Sequence, residues 1–139
     1  MIHVGPTGSG QCGKLVNNTL MMNHKNALDV LRPARSLALP IEALLDVLRS
    51  GSAVSFALQA TGPSVTSANV HHPQPLELLD MQLFSGAVED LGAATAPVIE
   101  RAVAGARELD EPTALVEAGP VGVMASWVSR ECPDNRALP

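Results

Sequence analysis

From Gly10 to Leu31, the residues Leu15, Val16, Leu20, Met21, Ala27, Leu28 and Leu31 recur at helical spacing and draw one apolar stripe along a single helix. At 1.5 Å per residue that helix is about 33 Å long, too long for one small core to cover. Whatever the fold is, it must be built along this rod. The remaining composition agrees with helices: 46% of the 139 residues are hydrophobic but only 2% are aromatic, so the core has to come from Ala, Leu, Val and Met. Strands favour aromatic and β-branched residues, and this palette does not. The predicted class is all-α, one domain over residues 1–139 with two long helices and several shorter ones.

Turn formers divide the rest. Pro33 is expected to break or bend the first helix. Pro40 opens a second helix running through Ser50, with Ile41, Leu44, Leu45 and Leu48 as its buried stripe and Gly51 as its stop. Ser52–Gln59 reads as a short helix. Residues 62–75 are rich in Gly, Pro, Ser, Thr and Asn and read as a loop, either a lid over a pocket or an arm around a partner. Residues 76–106 form the second long helical region, divided by Gly86, Gly92 and Pro97. Its residues Leu79, Leu83, Val88, Leu91, Ile99 and Val103 are expected to pack on the first helix. Asp110-Glu111-Pro112 is a turn, and Thr113–Val128, carrying Trp127 and interrupted at Gly119-Pro120, is the last helix. Met21 and Met22 are core residues, Glu and Arg side chains along the helices are solvated faces, and His71-His72 belongs to a solvated loop.

Chemistry concentrates where the first helix begins, in Val4-Gly5-Pro6-Thr7-Gly8-Ser9-Gly10-Gln11-Cys12-Gly13-Lys14-Leu15-Val16-Asn17-Asn18. The glycines allow a close backbone approach, and the free N–H groups of a helix start favour an anion. Lys14 and Asn18 are four apart and share a face, with Asn17 beside them. A lysine set between amides on an apolar helix is a candidate general acid. Cys12 reads as a small buried thiol. Two nucleotide motifs are excluded by context. Gly8 to Lys14 spells the phosphate-loop pattern, but Leu15 stands where a magnesium-binding hydroxyl is required. Gly8 to Gly13 spells the dinucleotide fingerprint, but only Met1 to Val4 precede it and the region of Asp29, where a second strand should end, is helical.

Glycines before a Gln, then Lys-Leu-Val-Asn-Asn opening a long helix, resemble the junction into the C-terminal domain of the β-hydroxyacid dehydrogenases. These are the 3-hydroxyisobutyrate and 6-phosphogluconate dehydrogenase relatives, including imine reductases. The resemblance implies a 6-phosphogluconate dehydrogenase C-terminal-domain-like helical fold that pairs as an intertwined homodimer through its long helix. It implies Lys14 as the acid/base at the carbon undergoing hydride transfer and Gly8, Ser9, Gly10, Asn17 and Asn18 as substrate-binding residues. Residues 1–9 become a remnant edge strand and Gly-rich turn, and the Rossmann half is expected to lie outside this chain. NAD(P) follows as the cofactor of the whole enzyme, not bound by this chain alone.

The chain also departs from the family. Where relatives place a Lys-Asp pair beside the nicotinamide, Glu89-Asp90-Leu91-Gly92 puts an acid in the lysine's position, leaving Asp90 as the cofactor-side residue. The serine-glycine-glycine loop is absent. The expectation is therefore a substrate-binding and dimerisation domain, incomplete for hydride transfer alone, taking a small carboxylate, carbonyl or imine and completed by a Rossmann-domain partner. Two alternatives share its residues: a stand-alone isomerase, cyclase or lyase using Lys14, and a non-catalytic helical dimer that binds a small molecule or a partner. A net charge of -5 argues against nucleic acid and acidic membranes. Cys12 and Cys132 are too few for a disulfide framework, which with the absence of an apolar run of membrane length points to a cytoplasmic protein.

Overall fold

A computed structural model describes residue 5, residues 10–88 and residues 95–119; the side chains of residues 10–12 lie outside the description. The expectations for Gly8, Ser9, Asp90, Leu91, Gly92, Trp127 and the Cys12 side chain therefore fall outside it, as does the strand expected at Met1–Val4. Among the described residues six helices follow in order: α1 (Gly10–Ser36), α2 (Ile41–Ser50), α3 (Phe56–Ala60), α4 (Pro73–Val88), α5 (Ala96–Arg107) and α6 (Glu111–Glu117). The class is all-α, and no strand occurs among the described residues; only an isolated bridge joins Thr61 to Val65.

α1 is the axis. It runs on through Pro33 to Ser36, contrary to the break expected there. Proline in the last turn forfeits a single backbone bond. The helix ends instead on Ala38 at φ 56°, with Leu39 N–H reaching the Ala34 carbonyl and Ala38 N–H the Arg35 carbonyl, a left-handed closure that satisfies the terminal carbonyls. Arg35 extends from this end to the carbonyls of Leu115 and Gly119 and so ties down α6.

Two core clusters cover the rod in succession. The front half buries Met21 with Val70, Met81, Ala102, Ala106 and Leu109. The rear half buries Ala27, Leu31 and Ala34 with Ile41, Leu45 and Leu58. Met21 is a core residue as expected, and Met22 packs partly buried against it. Leu15 and Val16 leave the expected stripe: they are more than half exposed at the start of α1.

The shorter helices deviate where local capping outweighs periodicity. α2 keeps the expected stripe and stops at Gly51. α3 is shorter than expected because Ser55 caps it, its hydroxyl accepting from Leu58 N–H. Segment 62–72 is not a free lid or arm: Val70 is buried in the front cluster, and Ser67 N–H donates to Glu117 on α6. Pro73 begins α4, three residues before the expected start, and Gly86 sits inside that helix without dividing it. α4 also turns a different face inward. It buries Met81, Phe84 and Val88, leaving Leu79 and Leu83, expected to pack on α1, more than half exposed. α6 starts at Glu111 instead of Thr113, with Pro112 in its first turn.

α5 lies backbone to backbone against α1 at Gly105. Its inward face is Ile99, Ala102, Gly105 and Ala106, small residues over which α1 can lie. A Cβ built on Gly105 would stand 1.9 Å from the Met21 carbonyl oxygen and 3.4 Å from the Lys25 Cβ. The Lys25 stem therefore crosses α5 at Gly105, and its ammonium reaches Glu108 at 2.7 Å and Asp29 at 3.1 Å. Arg101 pairs with Asp29 at 2.9 Å, and Arg32 with Glu108 and Glu111. These charges line the seam between α1 and α5–α6: the side chains of Asp29, Arg32, Arg101 and Glu111 stay solvent-exposed as expected from sequence, while Lys25 and Glu108 are largely covered. The Glu108 bond holds the Lys25 ammonium above its ordinary range, outweighing desolvation.

His24 shares the inward face of α1 with Met21 and Leu28, only 5% exposed, and its Nδ1 has no hydrogen-bond partner. Burial lowers its pKa to about 4, which favours the neutral ring.

Two predictions follow from this packing. Gly105→Ala should lower the chemical-denaturation free energy by about 3 kcal/mol or abolish folding, because the obstructing atoms are backbone. Gly86→Ala, where a Cβ meets nothing within 4 Å, should instead raise stability by roughly 0.5–1 kcal/mol through helix propensity. Equal effects at both positions would contradict the close crossing. For His24 the unfolded chain binds the proton more tightly than the fold, so its contribution is complete above about pH 6.5 and is lost as pH falls towards about 4. The loss amounts to about 3 kcal/mol. Melting temperature measured against pH should fall across that window and fall visibly less in His24→Leu.

Candidate functional site

The first turns of α1 bring Lys14 and Asn17 to the flank of α4. Lys14 Nζ stands 3.6 Å from Asp80 Oδ1, the two side chains being 28% and 32% exposed. Asn17 Nδ2 donates to the other oxygen, Asp80 Oδ2, at 2.8 Å. One carboxylate thus receives two of the expected site residues on its two oxygens. The spacing explains the convergence: residues 14 and 17 lie one turn apart on the same α1 face, and α4 packs beside it.

Asn18 behaves differently. It is 2% exposed, and its Nδ2 donates to the Lys14 carbonyl at 2.8 Å while its Oδ1 has no partner. It braces the turn that carries the lysine from behind. Gly10 is the first residue of α1, so the chain enters the helix one turn before Lys14.

Beside the Lys14–Asp80–Asn17 group opens a cleft of about 310 Å³, lined by Asn17, Leu76, Glu77, Leu79, Asp80 and Leu83. Five of these six residues come from α4, which sequence reasoning had treated as packing and solvated surface. Glu77 precedes Asp80 by three residues and shares its face. Burial, and then the nearby Asp80 charge, push the Glu77 carboxyl above the ordinary range. Its Oε2 is buried without a hydrogen-bond partner. The missed signal was the pair Glu77 and Asp80 at helical spacing within Leu76-Glu77-Leu78-Leu79-Asp80, where acids interrupt a run of leucines.

The cleft can hold a small molecule against an amide and two carboxylates, with leucines on the open side and the Lys14 ammonium behind Asp80. It can pass a proton through Lys14. Diphosphate binding does not suit it: among the described residues that line the cleft none is basic, and two are acids. His71 and His72 are exposed and lie against one another, ring centroids 4.0 Å apart. No group of three or more metal-ligating side chains occurs among the described residues, and no helix among them is long and apolar enough to cross a membrane.

Comparison with known proteins is narrow. An uncharacterised oxidoreductase of Synechocystis sp. is 34% identical over 70 residues, which is 50% of this chain and 24% of that protein. The chain thus spans about a quarter of the relative that it matches. No family model matches, and no solved structure matches. Over half its length the chain is similar to that oxidoreductase.

Proposed function

We propose that this chain is the helical, substrate-binding part of an oxidoreductase of the β-hydroxyacid dehydrogenase type, 3-hydroxyisobutyrate dehydrogenases and imine reductases included. In this reading Lys14 is the acid/base, Asn17 contacts the substrate, and Asn18 braces the lysine's turn. The supporting observation is the convergence of Lys14 and Asn17 on the two oxygens of Asp80 at the edge of an open cleft. The half-length likeness to an oxidoreductase points the same way.

The cleft does not suit NAD(P), because its acids repel a diphosphate and Lys14 is already paired. The hydride step therefore belongs to a Rossmann domain supplied by another segment or another chain. What these residues contribute is a place for a small carbonyl or imine and a proton. When a substrate heteroatom displaces Asp80 from Lys14, Nζ donates a proton to it as negative charge develops there; in the reverse direction Nζ takes the proton back. Asn17 fixes the substrate by its side-chain amide. Pairing with a second copy along α1 completes the assembly in this reading, in keeping with the exposed Leu15 and Val16.

A second reading uses the same groups without a cofactor. Lys14 with Asp80 is a proton donor beside an acceptor, and such a pair serves an isomerase, cyclase or lyase equally well.

One experiment separates the two. NADPH oxidation with keto acids and imines is measured for the chain alone and after joining it to a Rossmann domain. Turnover should appear only in the joined protein and fall at least ~100-fold in Lys14→Ala, with an unchanged melting temperature. Substrate interconversion by the chain alone, without NADPH, would support the second reading instead. Unchanged turnover in Lys14→Ala would remove both.

A further inference from the structure

We infer that the cleft between α1 and α4 recognises a protonated amine bearing an aliphatic arm, with Glu77 and Asp80 facing the ammonium and Leu76, Leu79 and Leu83 carrying the arm. The inference rests on the reading of this cleft as the substrate site and names a second group of that substrate, an ammonium apart from the carbonyl or imine that takes the Lys14 proton.

Charge balance is the first reason. With both acids ionised, Lys14 sets one positive charge against the two negative charges of Glu77 and Asp80. Asp80 is already satisfied, one oxygen near Lys14 and the other bonded by Asn17. Glu77 is not. It lines the cleft and takes part in no ion pair among the described residues; its Oε2 is buried without a donor, so contact with a ligand falls to its other oxygen. A ligand carboxylate entering here would meet a second and third carboxylate, whereas an ammonium supplies the countercharge that Glu77 lacks. It also relieves both influences that make the ionised Glu77 costly, burial and the Asp80 charge.

The second reason is the leucines. Leu76, Leu79 and Leu83 fall at i, i+3 and i+7 on α4, and all three are more than half exposed at the rim of the 310 Å³ cleft. Three large aliphatic side chains beside two acids match a molecule that is cationic at one end and apolar along its length. A small polar cation alone would leave that wall unused.

The test uses the full 139-residue chain and two probes of equal length and opposite charge, n-butylammonium and butyrate, titrated while backbone and asparagine side-chain amide resonances are followed by NMR. Butylammonium should produce saturable shifts at Asn17 and along α4, and butyrate should not. Glu77→Gln should weaken butylammonium binding at least ~10-fold. Leu79→Ser should weaken butylammonium more than methylammonium, since only the former has an arm. Butyrate binding as tightly as butylammonium, or a Glu77→Gln protein that binds both as before, would overturn the inference; circular dichroism confirms that the variant is folded. Ammonium binding in a joined protein that reduces nothing would remove the oxidoreductase reading alone. Reduction without ammonium binding would remove this inference alone.

Discussion

The close crossing of α1 and α5 at Gly105 is what the remaining structure depends on. Any side chain there would run into the Met21 carbonyl, so the two helices meet backbone to backbone, with Ala102 and Ala106 extending the small-residue face. A core with almost no aromatic volume cannot fill a wide gap between helices. It gains contact by bringing helices near, where dispersion and burial act over short distances. Met21, fully buried, is seated where that approach is tightest.

From this crossing follow both the charge seam and the position of the site. Because Lys25 must lie over Gly105, its ammonium reaches Glu108 beyond the end of α5, and Asp29, Arg32, Arg101 and Glu111 complete an alternating row. Isolated surface pairs contribute little, but Lys25 is only 14% exposed, and a network shares the cost of ordering each side chain. One turn towards the N-terminus of α1, at Met21, the same helix is held against α4 by Met81 in the front cluster. That contact fixes the distance from Lys14 to Asp80.

The long helix, the buried methionine and the helical class were legible because each rests on periodicity or composition, which act locally. At the start of α1 the spacing of four paired Lys14 with Asn18 and set Asn17 beside them, whereas in the structure Asn17 shares Asp80 with the lysine and Asn18 is buried behind the turn. What was hidden depended on how helices rotate against each other. Leu79 and Leu83 have the spacing of a buried stripe, yet Met81 and Phe84 occupy the inward face, because residues 76, 79 and 83 and residues 77, 81, 84 and 88 both keep helical period and sequence does not choose between them. Asp80 and Glu77 went unrecognised with that rotation. Pro33 misled for another reason: a proline in a last turn removes little, and the helix was closed by Ala38 beyond it.

The strength of the Lys14–Asp80 pair bears on what the site can do. At 3.6 Å, with both side chains about a third exposed, the pair contributes on the order of 0–1 kcal/mol. The Asn17–Asp80 hydrogen bond is shorter and charge-assisted, worth roughly 1.5–3 kcal/mol. Asp80 is thus anchored by the amide and only lightly engaged by the ammonium. A ligand group entering the cleft can take Lys14 from Asp80 at small cost while Asp80 stays in place. A structural salt bridge would be built the other way round, with the cation deeply held, as Lys25 is against Glu108 at 2.7 Å. The contrast between these two lysines on one helix separates a group that fixes the fold from one left available for chemistry.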